Sequence, residues 1–152
     1  MTPKKILVTY GSLTGNTEVV ASYLQEQIQA AGHDCALENG FEVMADSLKD
    51  YDLVIIGGST WGDGELNPIS EEFLVNLDSS GIRLEGVKFS VFGLGESHYE
   101  FFCTGADTID KKLQELGAQR FGELHKIDGM PEQEILDGCL EWAMSVIEEI
   151  SD

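Results

Sequence analysis

Short apolar runs alternate with amphipathic stretches along the whole chain. Lys4–Tyr10 is rich in β-formers and closes at Gly11. Residues 15–31 carry Val20, Leu24, Ile28 and Ala31 at spacings of four, four and three, the repeat of one helical face, and Gly32 ends the stretch. His33–Glu38 reads as a weaker strand at a sheet edge, and Ser47–Tyr51 as a short helix. Asp52–Gly58 is a continuous apolar run bounded by glycines, as expected of a strand buried on both faces. Asn67-Pro68 marks a helix start, Asn as cap and Pro at the first position, with Ile69, Phe73 and Leu77 on its inner face. Val87–Leu94 predicts a fourth strand. Residues 103–117 predict a helix with Ala106, Ile109, Leu113 and Leu116 inward, closed by Gly117. Arg120–Ile127 predicts a fifth strand, and 132–150 a last helix with Ile135, Cys139, Trp142, Val146 and Ile150 in one stripe.

A strand followed by a helix, five times over, predicts an α/β fold. It would be a three-layer, doubly wound, five-stranded parallel sheet with helices on both faces and right-handed crossovers. Residues 1–152 are expected to form one domain. Ligands of such sheets sit outside the carboxyl ends of the strands, where the strand order switches. The loops after strands one, three and four therefore carry the functional reading.

After the first strand, residues 11–17 pack three hydroxyls, two glycines and an asparagine into one turn that runs into a helix. Free N–H groups and a partial positive charge at that helix start suit a phosphate. Without a ligand, the same residues make a polar helix cap. No lysine stands where a Walker A loop needs one, and no G-x-G-x-x-G is present. After the third strand, Ser59-Thr60-Trp61-Gly62-Asp63-Gly64-Glu65 offers an indole for stacking a flat ligand, or for anchoring its loop. After the fourth strand, Tyr99 supplies a second aromatic ring.

Charge sharpens this picture. The chain has 28 acidic and 9 basic residues, a formal net charge of −19, which repels nucleic acid and anionic lipid. No apolar run approaches a membrane span, and Ile6–Tyr10 is too short for a signal-peptide core, so a cytoplasmic protein is expected, and the charge favours a monomer. Cys35, Cys103 and Cys139 are odd in number and widely spaced, which argues for reduced thiols over disulfides, zinc or iron–sulfur ligation. His98 and His125 have no metal-ligand spacing around them.

The motifs S-L-T-G-N-T at 12–17, S-T-W-G-D at 59–63 and G-L-G-E-S-H-Y-E-F-F-C at 93–103 together resemble the short-chain bacterial flavodoxins. The likeness covers essentially the whole chain and implies the flavodoxin-like strand order 2-1-3-4-5. It implies an electron-transfer protein, not an enzyme: a low-potential one-electron carrier whose non-covalent FMN cycles between semiquinone and hydroquinone. Ser12, Leu13, Thr14, Gly15, Asn16 and Thr17 would hold the FMN phosphate with Ser59 and Thr60. Trp61 and Tyr99 would flank the isoalloxazine ring, and Gly62 would present its peptide near flavin N5. The backbones of Leu94, Gly95, Glu96, Phe101, Phe102 and Cys103 would meet the pyrimidine edge. Asp63, Glu65, Glu96 and Glu100 would repel the anionic reduced ring and lower its potential. Position 96 is Glu where many relatives carry Asp, which leaves a backbone role intact.

The implied partners are redox proteins with basic docking surfaces. Three neighbouring readings differ in role: an FMN module serving a larger reductase, a two-electron flavin enzyme, and a receiver domain of the same topology. The absence of a linker disfavours the first, and the absence of a dinucleotide fingerprint the second. Tyr10-Gly11 and Gly58-Ser59 stand where a receiver needs its acidic pair and phospho-acceptor. A low-molecular-weight phosphatase would need Cys and Arg in the first loop, which has neither.

Overall fold

The computed structural model describes residues 3–11, 16–39, 45–61, 65–66, 75, 81, 83–95, 104–128 and 132–150. Its elements run β1 (Lys5–Gly11), α1 (Asn16–Ala30), β2 (Asp34–Asn39), a 3-10 turn (Ala45–Asp50), β3 (Leu53–Trp61), β4 (Glu65–Leu66), β5 (Lys88–Gly95), α2 (Thr104–Glu115), β6 (Gln119–Arg120), β7 (His125–Asp128) and α3 (Gln133–Ile150). The helix expected after Asn67-Pro68, with Ile69, Phe73 and Leu77, lies outside the described residues.

The sheet order is β2-β1-β3-β5-β6, all parallel, with β7 following β6 beside β5. This is the expected 2-1-3-4-5 order with two refinements. β4 adds a short antiparallel pairing to the end of β3. The fifth strand is broken into β6 and β7.

The break has a local cause. Gly122 takes a left-handed φ of 75°, which a side chain disfavours. A Cβ there would lie 2.7 Å from Val146 Cγ2. The carbonyls released by the break find side-chain donors: buried Ser90 Oγ donates to Phe121 O at 2.8 Å, and Trp142 Nε1 donates to Glu123 O at 2.9 Å.

Side-chain alternation splits the core into two layers. Ile6, Val8, Leu53, Ile55, Phe92 and Ile127 face α1 and α3. Leu7, Val54, Ile56, Phe89 and Val91 face α2, with Leu48 of the 3-10 turn plugging the same layer. Each fully buried Leu, Ile or Phe contributes about 1.5–3 kcal/mol, so both faces of the sheet are held by burial. Val20, Leu24 and Ile28 form the inner face of α1 as the periodicity predicts. Ala31, assigned to that face from spacing alone, is exposed. It lies past the last helical residue, where Gly32 (φ 103°) turns the chain away, and Thr17 and Ala21 complete the face instead. Cys35 and Cys139 are buried free thiols, and burial pushes both up to about 12.

His125 opens β7 and stacks on Trp142, ring centroids 5.1 Å apart at 19°. Burial holds its imidazole below the usual histidine value. The unfolded chain then binds that proton more tightly, so the folded state loses stability as pH falls through the ordinary histidine range near 6.5. Replacing His125 with Phe keeps a stacked ring and removes the titration. Urea-unfolding midpoints measured from pH 8 to pH 5 should fall less for His125→Phe than for the parent chain.

Candidate functional site

Parallel pairing brings three strand ends into one row. Gly11 of β1 pairs with Gly58 of β3, Gly58 with Gly93 of β5, and Gly93 with Lys126 of β7. Three glycines in lateral register leave β1, β3 and β5 without Cβ atoms on one face at this row. One step beyond, Ser59, Leu94 and Ile127 form the next row. One step before, Tyr10, Gly57, Phe92 and His125 are aligned. Gly57 is required there by packing, since a Cβ would land inside the fully buried ring of Phe92. Phe92 in turn meets Trp142 edge-on, with centroids 6.4 Å apart.

α1 begins five residues after β1 ends, so its first turn stands beside this row. The first N–H groups of a helix have no acceptor inside it and carry partial positive charge. Thr17 is the second residue of α1. It is fully buried, and among the described residues its Oγ1 has no hydrogen-bond partner. A buried hydroxyl left without a partner costs about 1–3 kcal/mol, so its place at an anion-attracting helix start fits a ligand oxygen as the missing acceptor. Thr9 Oγ1 is also buried and unpartnered, but it stands inside the ladder, two residues before the glycine row.

Of the residues singled out from the sequence, Thr17 has its side chain defined. Asn16 opens α1; Ser59, Thr60 and Trp61 end β3; Leu94 and Gly95 end β5. These bases of the three loops share one edge of the sheet. Ser12, Leu13, Thr14, Gly15, Gly62, Asp63, Glu96, Tyr99, Phe101, Phe102 and Cys103 lie outside the described residues. β4 pairs Trp61 with Glu65, which brings the chain back beside Trp61 within four residues. The sequence reading missed this return because two residues are too few to show a period.

It also missed an ion pair at the margin of the row. Lys126 Nζ lies 3.3 Å from Asp107 Oδ2 in the first turn of α2. Only the register reveals that Lys126 stands in line with the glycines. His33, also buried, accepts the Lys4 N–H at Nδ1 (3.0 Å) at the opposite end of the sheet and takes no part in the site. Among the described residues, no group of three His, Cys, Asp or Glu could hold a metal ion.

Comparison with known proteins places the same features in context. Residues 8–142 match the flavodoxin family. The chain is 40% identical over 148 residues to a flavodoxin of Maridesulfovibrio salexigens, covering 96% of this chain and 99% of that one. It is 32% identical over 146 residues to the sulfite reductase [NADPH] flavoprotein alpha-component of an Enterobacter species, covering 94% of this chain and 23% of that protein. The crystal structure of oxidised flavodoxin 2 from Bacillus cereus superposes with a TM-score of 0.87 at 36% identity, over 95% of this chain and 99% of that one.

The glycine at position 57 gives a direct test of this packing. Gly57→Ala should cost about 1–3 kcal/mol of stability, because the buried Phe92 ring cannot yield without disturbing Trp142. Chemical unfolding of the purified variant measures the loss.

Proposed function

This chain belongs to the flavodoxin family, so it is a small FMN-binding electron carrier and not an enzyme, and we propose which of its residues hold the cofactor. FMN supplies the redox chemistry, its ring accepting and returning electrons. In this reading the whole chain acts as a single domain. The loop from Ser12 to Gly15 and the start of α1 at Asn16 and Thr17 bind the phosphate, with Ser59 and Thr60 beside it. Trp61 and Tyr99 cover the two ring faces. Gly62 and Asp63 follow the indole, Gly62 offering its peptide at flavin N5. Leu94, Gly95 and Glu96 on one side, and Phe101, Phe102 and Cys103 on the other, line the pyrimidine edge with backbone.

The observation that carries the assignment is the buried, unpartnered hydroxyl of Thr17 at the start of α1. The glycine row supports it, because three neighbouring strands without Cβ atoms at one level let backbone approach a ligand closely. No lysine or arginine occurs in the proposed phosphate loop, so backbone N–H groups, hydroxyls and the helix dipole supply the attraction.

Flavodoxin-like chains also occur within larger reductases, as the sulfite reductase component illustrates, which supports redox proteins as partners. The net charge of −19 favours partners with basic docking surfaces, met by a low-potential monomer in the cytoplasm. Among the described residues, no helix is long and apolar enough to cross a membrane.

The purified protein should carry FMN released on denaturation. Anaerobic titration with dithionite should show two resolved one-electron steps. A single two-electron step would sink the one-electron role while leaving the fold. Thr17→Val, which keeps the shape and deletes the hydroxyl, should raise the FMN dissociation constant by roughly tenfold. Thr9→Val should leave it unchanged. Equal effects of the two substitutions would count against Thr17 as a ligand group.

A further inference from the structure

We infer that Lys126 sets the reduction potential of the bound flavin, as the single cation at the cofactor end of the sheet. The inference rests on the flavin site proposed above. The chain has nine lysines and arginines, and all nine fall within the described residues. Lys4 and Lys5 stand at the start of β1, Lys49 just before β3, and Lys88 at the start of β5. Arg120 pairs with Phe89, the second residue of β5. Arg83 donates to Glu115 O at the far end of α2, and Lys111 and Lys112 lie in the second half of that helix. Eight cations therefore gather toward the amino ends of the strands. Lys126 alone pairs with a residue near the carboxyl end of β5, in line with the glycine row.

Its counter-charge comes from a neighbouring helix, 3.3 Å away. Asp107 lies in the first turn of α2, three residues after the helix begins at Thr104 and so about 4.5 Å along its axis. The segment 96–103, proposed to meet the pyrimidine edge, runs from the end of β5 to that helix start. The Lys126–Asp107 pair thus bridges the two ends of this segment. Its side chains are 35% and 48% exposed, so the bridge adds little to folding and either partner can be replaced without loss of the fold.

The electrostatic role follows. Reduction places negative charge on the ring, at an end of the molecule where Asp63, Glu65, Glu96 and Glu100 are close in sequence to the proposed contacts. With Lys126 present, Asp107 adds no net charge to this group. Without it, one further carboxylate opposes reduction across a Coulomb distance on the order of 10 Å.

The test uses the full chain reconstituted with FMN. Lys126→Gln should bind oxidised FMN as the parent does, with an unchanged melting temperature of the apoprotein. It should bind fully reduced FMN about threefold more weakly relative to the preceding state, moving the second one-electron potential negative by about 28 mV. Asp107→Asn should move that potential the other way. The double variant should return close to the parent, as should Lys126→Arg. Potentials unmoved in both single variants would overturn the inference. So would a parallel loss of affinity for oxidised and reduced FMN, which marks a clamp on the loop and not a charge effect. A parent chain that binds no FMN in either state would overturn the site itself, and this inference with it.

Discussion

The lateral register of the parallel ladders is the constraint on which the rest of this molecule depends. Side chains alternate with a period of two, so a one-residue slip between β1, β3 and β5 would send every core residue to the wrong face. The same register sets Gly11, Gly58 and Gly93 side by side. Burial of Leu7, Val54 and Phe89 on one face and Ile6, Ile55 and Phe92 on the other therefore positions the end of the sheet as well as its middle. The edge that carries the candidate site is held by core packing some residues away.

The row just below the glycines shows how tightly the two are joined. Phe92 fills the space that a side chain at Gly57 would need, Trp142 supports Phe92 from α3, and His125, beside Phe92 in the sheet, stacks on the same indole. Trp142 also caps the carbonyl of Glu123 where the fifth strand breaks. One indole thus closes the core layer, satisfies the interruption and braces the strand on which Lys126 is carried. The break between β6 and β7 is a local solution, with Gly122 supplying the turn and Ser90 and Trp142 supplying the donors.

Charge is distributed as unevenly as volume. An excess of 19 negative charges would oppose compaction if it were even, yet the cations are gathered near the amino ends of the strands. Several make pairs there, including Arg120 with Asp110 at 2.8 Å and Arg83 with Glu85 at 3.1 Å. The carboxyl end keeps Lys126 alone.

The fold, and the sheet edge that carries the bases of the candidate loops, were legible in the sequence. Apolar runs such as Asp52–Gly58 and the stripes of α2 and α3 are signals of period and length, which depend on local order along the chain. The three loop motifs were legible for the same reason, each being a short contiguous string after a strand. Ala31 shows the limit of that signal, since spacing continues to count past the point where Gly32 ends the helix. What the tertiary structure alone decided is lateral. The alignment of Gly11, Gly58, Gly93 and Lys126, the burial of Thr17 without a partner, the Phe92 ring over Gly57 and the meeting of Lys126 with Asp107 join residues far apart in the chain. Periodicity reports which face a residue takes, but only strand pairing reports which residue stands beside it, because that choice is made by the packing of the whole sheet.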